Sequence, residues 1–253
     1  MSIDYFNRHH RLHGLKSCLA LRARQRMYQR VLRLGQLGPE TRVLDVGTTP
    51  DLELPYNNFF ERWYPHTDRL TACSVEDCSN LERRFPGLTF RLIEGETLPF
   101  RDQEFDLAVS FAVLEHVGAE TRQRHFLSEL ARVARVFIAY TPYRYFPVEM
   151  HTLLPFVHWL PTRWYRALWR KVGLEFWADE QNLNLLSIGT LKGLSPPGGG
   201  AEIRFMWTLG WPSNIEILWR RVSAPVIASP RWGEVHAGKH RAGTSGEPFL
   251  EIT

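Results

Sequence analysis

Beyond residue 41 the chain alternates two textures. Short apolar runs at residues 42–46, 70–75, 88–93, 105–110 and 136–141 predict strands, several of them apolar enough for burial on both faces. Between the last two runs, Phe126, Leu127, Leu130, Val133 and Ala134 mark one face of a helix. Strands alternating with helices predict a largely parallel sheet covered by helices, because parallel neighbours need crossover connections. Ahead of this region, Leu15, Leu19, Ala23, Met27 and Val31 recur every four residues, and Arg22, Arg26, Arg30 and Arg33 fall on another face. This predicts an amphipathic, cationic helix over residues 1–38, with Gly35 as its C-cap and Gly38-Pro39 after it. Packing on the domain with solvated arginines is the plain expectation. A cap over a ligand site and a contact with anionic lipid are the alternatives.

After Pro142 the pattern breaks into an aromatic and Pro-rich stretch, which reaches a loop at residues 195–200. Prolines every few residues exclude one long helix there, so residues 143–200 are expected to form an insertion over the strand ends. A hairpin follows, with strands at 202–208 and 214–220 flanking Gly210-Trp211-Pro212-Ser213. Residues 222–253 mix Gly, Pro, Ser and charge without sustained periodicity and are expected to form a mobile tail. The expected body is one domain over residues 39–221.

Composition narrows the classes. The chain has 253 residues, with 44% hydrophobic and 23% charged, which excludes a wholly disordered or collagen-like protein. A formal charge of +4 is only a weak vote for anionic partners. Three cysteines, Cys18, Cys73 and Cys78, form no C-x-x-C pair and build neither a disulfide framework nor a four-cysteine zinc site. No run approaches the roughly 18 apolar residues of a spanning helix, and residues 1–11 carry no signal-like apolar run. A soluble, cytoplasmic protein is expected, with weak peripheral membrane contact at most. No histidine spacing resembles a metal-binding set, so no metal is expected.

The sharpest local signal is Val43-Leu44-Asp45-Val46-Gly47-Thr48-Thr49, an apolar strand entering a turn with an acid inside it and a glycine after it. Such a turn lets backbone approach a ligand at the carboxyl end of a strand. In order there follow Gly95-Glu96-Thr97-Leu98-Pro99-Phe100, Phe105-Asp106-Leu107-Ala108-Val109-Ser110 and Val113-Leu114-Glu115-His116-Val117. Taken together, over roughly residues 41–142, these resemble the class I S-adenosylmethionine-dependent methyltransferases, in the small-molecule branch of the ubiquinone-biosynthesis type. The resemblance implies an α/β, Rossmann-like fold: seven strands, mostly parallel and twisted, with an antiparallel C-terminal hairpin. It implies S-adenosylmethionine as cofactor, its methionine end at Asp45, Gly47 and Thr49, its adenine near Glu94, Glu96 and Leu98, and Phe111 against it at the end of the fourth strand.

Departures from the pattern carry information too. Thr49 and Asp51 stand where the family usually has two further glycines, and residues 51–69 predict a longer, less regular crossover. At the end of the second strand the family's ribose-binding acid is replaced by Ser74, with Glu76 two residues on. A serine cannot accept two hydroxyls as a carboxylate can, so Glu76 is the preferred ribose ligand. For the acceptor, His151 past the fifth strand is the first candidate, with Glu149 to orient it, and His116 is its rival.

The aromatic share of 13%, with nine Trp, concentrates between residues 143 and 177. A satellite hydrophobic cluster, an acceptor pocket and interfacial membrane attachment compete to explain it. No RNA-binding signature appears and no nucleic-acid partner is expected. The expected reaction is methyl transfer to a small-molecule or glycan acceptor, on oxygen. A binding or scaffolding module with a decayed cofactor site is the alternative, on the strength of the missing glycines and the displaced acid.

Overall fold

The structure, a computed structural model, describes residues 13–222. The expectations for residues 1–12 and for the tail beyond 222 lie outside the described residues.

The apolar runs become strands within a residue or two of their expected bounds: β1 (Val43–Val46), β2 (Leu70–Ser74), β3 (Thr89–Leu92), β4 (Phe105–Phe111) and β5 (Ala134–Pro142), followed by β6 (Gly199–Thr208) and β7 (Trp211–Arg221). They form one seven-stranded sheet of order β3-β2-β1-β4-β5-β7-β6. The first five pair in parallel; β7 runs antiparallel to β5 and to β6. The order reverses at β1, so a crevice opens beyond the carboxyl ends of β1 and β4, where sheets of this kind bind ligands.

Each face of the sheet has its own core. On one, α1 (His13–Gly35), α2 (Phe59–Trp63) and α3 (Asn80–Arg84) bring Met27, Val31, Phe59, Phe60 and Leu81 into one core with Val43, Leu107 and Ile138. On the other, α4 (Glu120–Val133) and α7 (Ile188–Lys192) bring Leu127, Leu130 and Leu191 against Leu44, Ala108, Phe137 and Trp219. The crossover between β1 and β2 is indeed short of helix: α2 has five residues.

Several local readings need correction. Gly35 is the last residue of α1, and the left-handed conformation falls on Gln36, at φ 47°. Gly35 instead permits close packing, since a Cβ there would stand 2.8 Å from Leu107 Cδ2. Not all the α1 arginines are solvated: Arg30 pairs with Glu216, a buried carboxylate that also accepts from the Tyr140 hydroxyl at 2.8 Å. The hairpin turn is Leu209-Gly210, both at positive φ, and Trp211 and Pro212 already pair in β7 with Thr208 and Trp207. Two residues at positive φ match the twist that a two-residue hairpin needs. Gly199 and Gly200, read as loop, begin β6, where Gly199 leaves room for the Trp219 ring.

The insertion after β5 folds as short pieces: a single 3₁₀ turn (Val157–Trp159), α5 (Thr162–Lys171) and α6 (Glu175–Ala178). Tyr165 and Trp169 of α5 join Ala178, Leu183 and Leu185 in a small separate core.

Candidate functional site

A cavity of about 600 Å³ lies over the carboxyl ends of β1, β2 and β4. It is walled by α1 through Leu19, Ala23 and Arg24, by the loops after β1 to β4, and by the insertion through Phe146, Glu149 and His151. Its floor begins at the β1 turn. Gly47 has φ 97°, and a Cβ there would stand 2.1 Å from Val113 Cγ2. Only glycine fits, and its bare backbone faces the cavity.

The two side chains in place of the family's glycines are accommodated by a local hydrogen-bond cage. The Asn58 side chain accepts from the Thr49 N–H at 3.1 Å and donates to the carbonyls of Thr49 and Asp51 at 2.7 and 3.0 Å. Thr49 Oγ1 accepts from the Asp51 N–H at 3.3 Å, and Asn57 donates to the Asp51 carboxylate at 3.1 Å. Thr49 lines the cavity while Asp51 is taken up in the cage.

Under this turn lies a pair of carboxyl groups that the sequence did not disclose. Glu61, from α2, and Asp45 are both buried and both line the cavity, within hydrogen-bonding reach of each other. Neither Glu61 oxygen meets a donor in good geometry. Burial raises both above the usual carboxylate range, and the neighbouring Glu61 pushes Asp45 further. Two acids in this position share a proton or await a cation. Arg24 reaches in from α1, its guanidinium over the Phe59 ring at 5.2 Å; burial lowers its pKa, against the pull of Glu115 and Asp45.

Along the β2 and β3 ends, Ser74, Glu76, Ile93, Glu96 and Leu98 line the cavity. Ser74 is buried, its Oγ accepting from the Glu76 N–H at 3.3 Å, whereas Glu76 is half-buried; both line the cavity. Both adenine candidates are exposed; Glu96 lines the cavity and pairs with Arg122 at 2.9 Å, whereas Glu94 is not in the cavity lining. Leu98 is held from α4: its N–H donates to Glu129 at 2.8 Å and its carbonyl accepts from Arg132 at 2.9 Å. Phe111 lines the cavity and stacks on Tyr140 with centroids 5.6 Å apart.

At the far end the two candidate histidines meet. Their ring centroids are 4.9 Å apart, edge to face, and Trp177 lies 4.9 Å from the His151 ring. The His151 Nδ1 bonds Glu149 at 2.6 Å, and Glu149 also accepts from the backbone N–H groups of His151 and Thr152 and from Thr152 Oγ1. Burial alone would raise the Glu149 carboxyl; the His151 ring and these donors outweigh it and bring it down to about 2. The His116 Nδ1 donates to the Asn182 carbonyl at 2.7 Å, which leaves Nε2 as the acceptor nitrogen. Burial, with His151 adding to it, holds the His116 ring at about 3, so it is neutral at ordinary pH. Glu115, fully buried, stands beside them; Glu115, His116 and His151 bring their ligand atoms within 4.8 Å of one another. Residues 115–116 and 151 are far apart in sequence, so no spacing motif could announce this group. His158 also lines the cavity, bonded to the Phe146 carbonyl at 2.7 Å.

The aromatic stretch divides between its competing explanations. Tyr143 and Phe146 line the cavity, while Tyr165 and Trp169 fill the separate core and Trp164 is 60% exposed. No helix among the described residues is long and apolar enough to cross a membrane.

Residues 69–136, from β2 to the start of β5, match the family model described as a methyltransferase domain. By sequence no curated protein matches the chain. Among solved structures, geranyl diphosphate C-methyltransferase from Streptomyces coelicolor A3(2), in complex with Mg2+, geranyl diphosphate and S-adenosylhomocysteine, is 12% identical with TM-score 0.53, covering 86% of this chain and 87% of its own. An S-adenosylmethionine-dependent methyltransferase from Mesorhizobium loti is 15% identical with TM-score 0.52, covering 80% and 98%. The YcgJ protein of Bacillus subtilis is 14% identical with TM-score 0.52, covering 79% and 98%. The chain thus carries a segment similar to a methyltransferase domain within a sheet that shares the fold of these S-adenosylmethionine-dependent methyltransferases.

Proposed function

We propose that the protein transfers a methyl group from S-adenosylmethionine to an oxygen of a small-molecule or glycan acceptor. One observation carries the reading: a single cavity runs from the Gly47 turn, past Phe111, to the His116–His151 pair. A methyl donor at one end and an acceptor at the other would meet in line, as displacement at a sulfonium carbon requires.

The residues present fit the cofactor. Bare backbone at Gly47 allows the amino-acid end to approach, and the Asp45–Glu61 pair supplies the negative charge its ammonium needs. Arg24 faces the same end with a charge suited to the carboxylate. Thr49 offers a hydroxyl beside them. Glu76, with Ser74 behind it, serves the ribose; Glu96 and Leu98 serve the adenine. S-adenosylmethionine, when bound, supplies a methyl on positively charged sulfur. The chain's own contribution is to exclude water and to hold the acceptor. Glu149 fixes the His151 Nδ1, so Nε2 is the nitrogen turned to the acceptor, where it meets the reacting oxygen by taking its proton or through a bound ion.

The decayed-site alternative rested on the missing glycines. The Asn57–Asn58 cage supports a working turn instead, since it holds Thr49 and Asp51 without closing the cavity. Incubation with S-adenosylmethionine labelled on the methyl and fractionated cell extract tests the proposal. Label in a base-labile or ether-stable small-molecule or glycan product supports O-methylation; label found only in protein or nucleic acid would overturn the acceptor class.

A further inference from the structure

We propose that Glu115, His116 and His151 form a binding site for a divalent transition-metal ion at the acceptor end of the cavity. This rests on the reading above and names the device by which that end would hold its substrate. The three ligand atoms already lie within 4.8 Å of one another, and His116 Nε2 stands 3.9 Å from Glu115 Oε1. In a site with bonds of about 2.0–2.2 Å, ligands stand roughly 3.4 Å apart, so small side-chain rotations close the group.

Three features distinguish it from a chance cluster. Each imidazole has its Nδ1 committed outward, His116 to the Asn182 carbonyl and His151 to the Glu149 carboxylate. Metal-ligating histidines are oriented by this kind of outer partner, with Nε2 as the liganding nitrogen. Second, Glu115 is fully buried and its Oε1 has no hydrogen-bond partner, whereas Oε2 accepts from Thr141 Oγ1 at 3.0 Å. An unsatisfied carboxylate oxygen beside two imidazoles calls for a cation. Third, two histidines and one carboxylate leave coordination positions open, and His116 and His151 both line the cavity. An acceptor hydroxyl that binds the ion gives its proton to solvent more readily and presents an oxyanion to the methyl position. His151 is then a ligand rather than the proton acceptor.

Titration of the full chain with Co2+, followed by its visible absorption, tests the site. Expected is a saturable band at one equivalent, bleached by Zn2+, with affinity at least about tenfold weaker in Glu115→Gln and His151→Ala, and weakened also in Glu149→Gln through the outer shell. Circular dichroism and S-adenosylhomocysteine titration identify the variants that remain folded; His151→Ala lies in the insertion and keeps the test open if Glu115→Gln does not fold. No saturable band, or a band unchanged in the folded variants, would overturn the site. Either result with S-adenosylhomocysteine still bound leaves the methyltransferase reading standing; loss of that binding in the wild type is the separate failure of that reading.

Discussion

Glu149 accepts a hydrogen bond from the His151 ring at 2.6 Å while three further donors hold its carboxylate in place. The imidazole is therefore held in one orientation at the cavity wall, with Nδ1 engaged by Glu149. His151→Ala is expected to lower methyl transfer by about 10²–10⁴-fold, the range for a positioned acid–base or liganding group, with S-adenosylhomocysteine affinity nearly unchanged. Glu149→Gln should fall between the two, because an amide keeps the shape but loses the charge. Unchanged turnover in His151→Ala, measured with any accepted substrate, removes that residue from the mechanism.

The Asp45–Glu61 pair makes stability depend on pH in a definite direction. In the unfolded chain both groups ionise near about pH 4, whereas burial raises both in the folded state and the neighbouring Glu61 raises Asp45 further. The folded protein then holds more protons than the unfolded chain above that pH, so stability falls as pH rises through the interval up to the folded values, and levels off beyond. Arg24 and Arg62 moderate the effect and Cys73 also faces Asp45. Glu61→Gln should flatten the fall of the melting temperature with rising pH above about pH 4 while weakening S-adenosylhomocysteine by roughly 10–100-fold through loss of a charge-assisted bond. A variant with a pH profile parallel to the wild type contradicts the pairing.

Gly47 permits the turn for two separate reasons, its φ of 97° and the nearby Val113. Gly47→Ala is expected to cost at least about 2 kcal/mol, lowering the melting temperature by about 4–8 °C, and to abolish cofactor binding. Adding Val113→Ala relieves the collision and not the backbone strain, so recovery should be partial. Full recovery would place the whole cost in packing.

In the proposed function Glu76 serves the ribose and Ser74 supports it through the Glu76 N–H. Glu76→Ala should weaken S-adenosylhomocysteine by about tenfold or more, the worth of hydrogen bonds to a charged group, while Ser74→Ala should change it by less than about threefold. Calorimetry decides, and the reverse ranking would return the ribose to Ser74.

How much of this was legible beforehand follows from the range of the interactions. The sheet was legible because parallel strands buried on both faces read as continuous apolar runs, as at residues 43–46 and 105–111. The Gly47 turn and the 94–100 loop were legible because each is a contiguous motif. Glu61 and Arg24 were not: one stands in an irregular crossover and the other among surface-like arginines, and only the packing of α1 and α2 on one sheet face brings them to Asp45. The Glu115–His116–His151 group needed the insertion folded back over β4. Even Glu94 and Glu96, two residues apart, separate only when the loop's direction is known.

Titration calorimetry with S-adenosylhomocysteine on the full chain tests the central claim most directly. Saturable binding at one site, weakened in Glu61→Gln and Glu76→Ala and lost in Gly47→Ala, is the predicted result. Absence of heat up to millimolar ligand, with the protein folded by circular dichroism, would contradict it.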